Sequence, residues 1–169
     1  MMSRPGVPGN ESPDDRLSAL GLTLPAIPRP VGNFELGSID GTTLYLSGQG
    51  PVMEDGTLAT GRVGCDVSTE DAVYHAHRTG LVLIAAMREI LGSLDHISQV
   101  RRVFGMVNAV PGFADHPIVL NGCSDLLCEV FGPRGRHARA AVGMGSLPGN
   151  ITVEIEAIVS ISPDWRPSA

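Results

Sequence analysis

An α+β fold, with helices laid over one face of a mixed sheet, is the class this sequence predicts. Three observations carry it: a hairpin signal near the start, a long helix of 3.6-residue period in the middle, and two apolar runs around a turn at the end. After a short first helix, the element order reads strand, strand, helix, strand, helix, strand, strand. That order suits a helix-over-sheet layer pattern.

The elements follow in chain order. Residues 1–13 (MMSRPGVPGNESP) are rich in Pro, Gly and polar residues and predict a disordered tail without the apolar core of a signal peptide. A single domain is expected over residues 14–162. Asp14 to Leu24 predicts a short helix stopped at Gly21, and Pro25, Pro28 and Pro30 then impose an extended connection. Residues 33–39 and 42–48 predict two strands around Asp40-Gly41, a strong hairpin turn.

Residues 48–61 form a loop with turns at Gly50-Pro51 and Asp55-Gly56. The clearest helix spans 69–91. Ser68 with Asp71 resembles a capping box, Val73, Ala76, Gly80, Leu83, Ile84, Met87, Ile90 and Leu91 keep helical spacing, and Gly92 stops it. Residues 99–110 predict a strand. A second main helix runs from an Asp115 cap to about Val130, with Pro117 in its first turn and Gly132-Pro133 beyond its end. The last element predicted is a hairpin over 137–158, turning at Leu147-Pro148-Gly149-Asn150.

Composition narrows the function classes. The formal charge is −6, and the only basic cluster is Arg134, Arg136, His137 and Arg139, a balance that weighs against nucleic acid as a partner. All 12 basic residues are Arg. The chain therefore cannot form a Lys Schiff base, hold pyridoxal phosphate covalently, or supply a P-loop lysine. Cys65, Cys123 and Cys128 show no metal or disulfide spacing, and the His residues do not form a metal motif. No cofactor and no metal are expected, a cytoplasmic location is the default, and no apolar run is long enough to span a bilayer. Gly143-Met144-Gly145 does not complete a dinucleotide fingerprint, and Ser47 does not sit in a nucleophile elbow.

The stretch 137–158 carries the chemical signal. Arg139 opens one apolar run, and alternation in the other puts Glu154 and Glu156 on one face of a strand. Such charges are most often simply solvated. Brought together, a guanidinium and carboxylates suit chemistry on a small acid.

Several motifs, in order, resemble the RidA/YjgF family, also known as L-PSP endoribonuclease-like proteins. Gly32-Asn33-Phe34 is similar to the family's first-strand G-P-Y. Leu46-Ser47-Gly48-Gln49-Gly50 is similar to TSGQ, and Asn121 stands near the start of the second helix. Ala138-Arg139 is similar to P-A-R-S, and Val153-Glu154-Ile155-Glu156-Ala157 to the closing I-E-I-E-A. The likeness covers about residues 30–160. The NGCSDLLCEVFG helix and the GRHAR segment point to a divergent subgroup.

The resemblance implies a chorismate-mutase-like fold, two main helices on one sheet face, and a homotrimer with a site in each cleft between subunits. It implies hydrolytic deamination of small imine or enamine acids to a 2-keto acid and ammonia. Arg139 would bind the substrate carboxylate and Glu154 would hold the attacking water. Gly48 would assist through its backbone N–H, and Ser47, Phe34, Asn121 and Ala141 would line the cleft. A guanidinium fork orients a carboxylate better than a point charge does, and holding water beside an imine needs no cofactor. Phe34 in place of Tyr, Ala141 in place of Cys and Gly143 in place of Glu depart from the pattern. The competing expectations are a non-catalytic binder of small carboxylates at the same cleft, and a ribonuclease.

Overall fold

The computed structural model describes residues 11–167. The tail expected over 1–13 falls largely on residues 1–10, which lie outside the described residues. Ser12 already caps helix α1 (Pro13–Ala19): its hydroxyl accepts from the Asp15 N–H, and the Asp15 carboxylate accepts from the Ser12 N–H. The helix ends before Gly21, whose φ of 67° suits the turn that follows.

The first hairpin forms as predicted, though it starts later. Strand β1 (Gly37–Asp40) pairs antiparallel with β2 (Thr43–Gln49) across Asp40-Gly41, and Gly41 takes φ 57°. Residues 33–36 lie outside regular structure. Helix α2 (Thr69–Leu91) has the predicted limits: the Ser68 hydroxyl accepts from the Asp71 N–H, and Gly92 ends it in the left-handed region. Strand β3 (Ile97–Asn108) follows, then α3 (His116–Phe131), β4 (Ala138–Met144) and β5 (Val153–Ile161). Asp115 stands at the N-cap position of α3, but its side chain makes no capping bond.

The sheet order is β1-β2-β5-β3-β4. This corrects the expected hairpin over 137–158. β4 never pairs with β5; it runs parallel to β3 on the outer edge, and β3 lies between them, antiparallel to β5. The cause is the helix that precedes β4. The chain leaves β3, packs α3 on the sheet and returns as a parallel strand, the connection that a parallel pair requires. Leu147 to Thr152 then crosses the end of β3. Pro148–Asn150 forms a 3-10 turn there, with φ 60° at Gly149 and 57° at Asn150. Buried Asn108 ties the crossing down: its Nδ2 donates to Asn150 Oδ1 at 2.9 Å and to Gly61 O at 3.1 Å.

The core lies between the sheet and the two long helices. Val153, Ile155, Ala157, Val159 and Ile161 of β5 and Val103 and Val107 of β3 face α2 and α3. The two helices touch closely because Gly80 and Gly122 carry no side chain: a Cβ on Gly122 would stand 2.0 Å from the Val73 carbonyl oxygen. Among the described residues no layer lies over the other sheet face. It presents Tyr45, Phe104, Met106, Val142, Met144 and Ile158, together with an Arg102–Glu156 pair at 3.4 Å.

Candidate functional site

Arg139 is paired in register with Val103, a core residue, so its side chain leaves β4 on the helix-covered face. It reaches α3 and is fixed there by three acceptors. Nη1 donates to Asn121 Oδ1 at 3.0 Å and to Ser124 Oγ at 3.0 Å, and Nη2 donates to the Pro117 carbonyl at 3.1 Å. All three partners are neutral. Among the described residues no carboxylate lies within ion-pair distance of Arg139. The half-buried guanidinium therefore has no counter-ion among the described residues and has donors to spare, Nε–H and one Nη2–H. A fixed, unpaired guanidinium is suited to an anion that arrives from outside.

Two further β4 residues share this face. Ala141 packs against the core. Gly143 leaves room for the His116 ring: a Cβ at 143 would stand 2.5 Å from His116 Nε2. Phe113 meets that ring edge-on with centroids 5.1 Å apart. Cys123, behind Arg139 on α3, is a core residue. Burial pushes its thiol up to about 12 despite the nearby guanidinium, which makes it inert.

Glu154 belongs to a second cluster. It is paired with Met106 and leaves β5 on the uncovered face. A bulge places it: Leu46 pairs with Ala157 and Gln49 with Ile155, so Ser47 and Gly48 together oppose Glu156. The Glu154 carboxylate lies against Gly48, where a Cβ would be 2.3 Å from Oε1. Burial, with Glu156 beside it, raises the Glu154 carboxyl above its ordinary range. Ser47 is tied to the incoming chain, since its N–H donates to Leu36 O at 2.9 Å and its hydroxyl to Glu35 O at 2.6 Å. This brings the 34–36 segment, with half-exposed Phe34, to the same end of β2.

The candidate residues thus form two groups. Arg139, Asn121 and Ala141 gather on the helix face at the β4 edge. Glu154, Gly48 and Ser47 gather on the open face at β2 and β5, with Phe34 on the segment tied to Ser47. Within the chain, β3 and the thickness of the sheet separate the two groups. Sequence reading missed Ser124 as a partner of Arg139. A signal for Ser124 was available, because Asn121 and Ser124 stand three apart and share one face of α3. Among the described residues no group of His, Cys, Asp and Glu could hold a metal ion, and no helix is long and apolar enough to cross a membrane.

This fold, a five-stranded mixed sheet with helices on one face and a guanidinium without a carboxylate partner among the described residues at its parallel edge, has the chorismate-mutase-like architecture. The family model described as YjgF/chorismate mutase-like, putative endoribonuclease, matches residues 14–157, and the chain belongs to that family. Protein TCP17 of Trypanosoma cruzi is 36% identical over 147 residues, covering 86% of this chain and 92% of that one. Atu1372 of Agrobacterium tumefaciens, a solved protein of unknown function, is 44% identical with a TM-score of 0.80, over 88% of this chain and 91% of that chain. A putative endoribonuclease of Shewanella oneidensis is 34% identical with a TM-score of 0.86, over 89% and 100%. RidA of a Psychrobacter species is more distant, at 27% and 0.54 over 80% and 94%.

Proposed function

We propose that this protein is a homotrimeric, RidA-like hydrolase that converts small imine or enamine acids to 2-keto acids and ammonia. The observation that carries this reading is Arg139: held by three neutral acceptors, without a carboxylate partner, and with N–H groups left over. The substrate carboxylate takes the fork, which fixes the imine carbon beside a water held by Glu154. The Glu154 carboxylate, whose raised pKa makes it a stronger base, accepts one water proton as the oxygen adds and passes it to the nitrogen. It then takes the second proton from the hydroxyl of the resulting carbinolamine and delivers it to the same nitrogen as the C–N bond breaks and the C=O bond forms. One water is consumed and one ammonia is released, with no change in oxidation state.

The two groups of residues lie on opposite faces of one sheet, so the site needs two subunits. The uncovered apolar face supplies the surface on which a second copy would pack. In that assembly the helix-face group of one subunit meets the open-face group of its neighbour.

The test is ammonia release from imines generated in situ from a panel of amino acids, with light scattering on the same sample. A trimer that accelerates hydrolysis, with activity and keto-acid binding both lost in Arg139→Ala and poorly restored in Arg139→Lys, is the expected result. A stable monomer at micromolar concentration overturns the interface site. Keto-acid binding with hydrolysis at the buffer rate assigns the protein to the alternative, a carboxylate-binding module. RNA cleavage without either activity would favour the ribonuclease named in the family description.

A further inference from the structure

A chain of hydrogen bonds runs behind Arg139 and ends in rigid backbone. His137 Nδ1 lies 2.6 Å from the Gly135 carbonyl oxygen, and its Nε2 lies 3.0 Å from Ser124 Oγ. A carbonyl only accepts, so Nδ1 carries a proton. In the neutral ring Nε2 is then an acceptor, and the Ser124 hydroxyl is its donor. Burial holds His137 below the ordinary histidine range; the Gly135 carbonyl opposes that shift and the positive charge of Arg139 adds to it. The Ser124 proton is thereby committed to His137, and the oxygen's lone pairs are left for Arg139 Nη1 at 3.0 Å.

The far end of the chain cannot drift. Gly135 closes the 3-10 turn Gly132–Gly135 against α3, so tightly that a Cβ there would be 2.1 Å from the Leu127 carbonyl oxygen. Asn121 and Pro117 each accept one further N–H of the guanidinium, but both lie towards the exposed start of α3. Ser124 provides the link that reaches inward, because its partner is fixed to a buried turn.

We propose that Ser124 and His137 are positioning residues for Arg139: the relay from Gly135 through His137 and Ser124 sets the plane of the guanidinium, so that its free N–H groups face the incoming carboxylate. Neither residue touches the ligand. The inference rests on the reading of Arg139 as the carboxylate anchor.

Two measurements test it, one of them without ligand. In the free protein, the Arg139 Nη resonances, assigned by their loss in Arg139→Ala, should show slow guanidinium rotation in the wild type. Rotation should be fast in Ser124→Ala and His137→Ala and slow again in Ser124→Thr, which keeps the hydroxyl. By calorimetry, with pyruvate as probe, Ser124→Ala should lose about tenfold in affinity, the scale of one hydrogen bond to a charged group. Ser124→Thr should recover most of that loss. His137→Ala should weaken binding in the same direction, and adding it to Ser124→Ala should cost nothing more, because His137 acts only through Ser124. Unchanged Arg139 rotation in Ser124→Ala overturns the relay, whatever the ligand data show. Additive losses in the double variant remove His137 from it. If the relay behaves as expected but Arg139→Ala binds pyruvate like the wild type, the anchor reading fails instead.

Discussion

The ring of His116 occupies the space that a side chain on Gly143 would need, with Nε2 2.5 Å from where a Cβ would stand. One residue at the start of α3 and one near the end of β4 therefore constrain each other. The small residue at 143, a departure from the family pattern, has a local cause in this chain: an imidazole packed on Phe113 fills the place.

Gly143→Ala should push the His116 ring off the edge of Phe113 and cost about 1 kcal/mol, the scale of one aromatic pair. In His116→Ala the same substitution should cost almost nothing. Thermal unfolding of the four proteins gives the cycle, and additive costs would show that the two residues do not compete for space.

Gly48→Ala should act on chemistry rather than on folding. The new methyl meets the far end of the Glu154 side chain, 2.3 Å from Oε1, and that side chain can swing aside. Imine hydrolysis should fall by about tenfold or more, as expected when a positioned water is lost. The melting temperature should stay within a few degrees. A variant that fails to fold would mean that the bulge, not the carboxylate, is what requires glycine.

The Glu154 carboxyl gives a signed pH dependence. Its folded pKa stands above the ordinary 4.5, so the folded state keeps this proton to higher pH than the unfolded chain does. Stability contributed by this group therefore falls as pH rises from 4.5 through the folded value, and the penalty is complete above it. Glu154→Gln removes the penalty. It should melt higher than the wild type at neutral pH, with the gap closing below about pH 4.5. A variant that melts lower than the wild type at every pH would show that the carboxylate is stabilised by its surroundings.

What the sequence disclosed and what it withheld have one physical reason. Helix α2 was legible to the residue, because its Ser68 cap, apolar spacing and Gly92 stop are all local. The Asp40-Gly41 hairpin was legible for the same cause. The arms around Leu147–Asn150 also carry honest local signals, since the turn is there and both strands are there. Their pairing is set by where α3 returns β4, and no residue in the segment encodes that. The site shows the same division. Arg139 and Glu154 stand out by type and by family likeness, while their location on opposite faces depends on registers against β3. The partners that hold Arg139 come from positions 117, 121 and 124, and only three-dimensional packing brings them to β4.

The placement of Arg139 and Glu154 on opposite faces has a genetic consequence. In a ring where each cleft joins the helix face of one subunit to the open face of the next, every chain serves two sites and owns neither. Arg139→Ala destroys one half of a cleft and leaves that chain's Glu154 sound; Glu154→Gln does the reverse. Homotrimers of either variant would be inactive, yet rings assembled from a mixture would contain some clefts with both halves intact. Two defective alleles expressed together should then complement each other and restore activity that neither has alone.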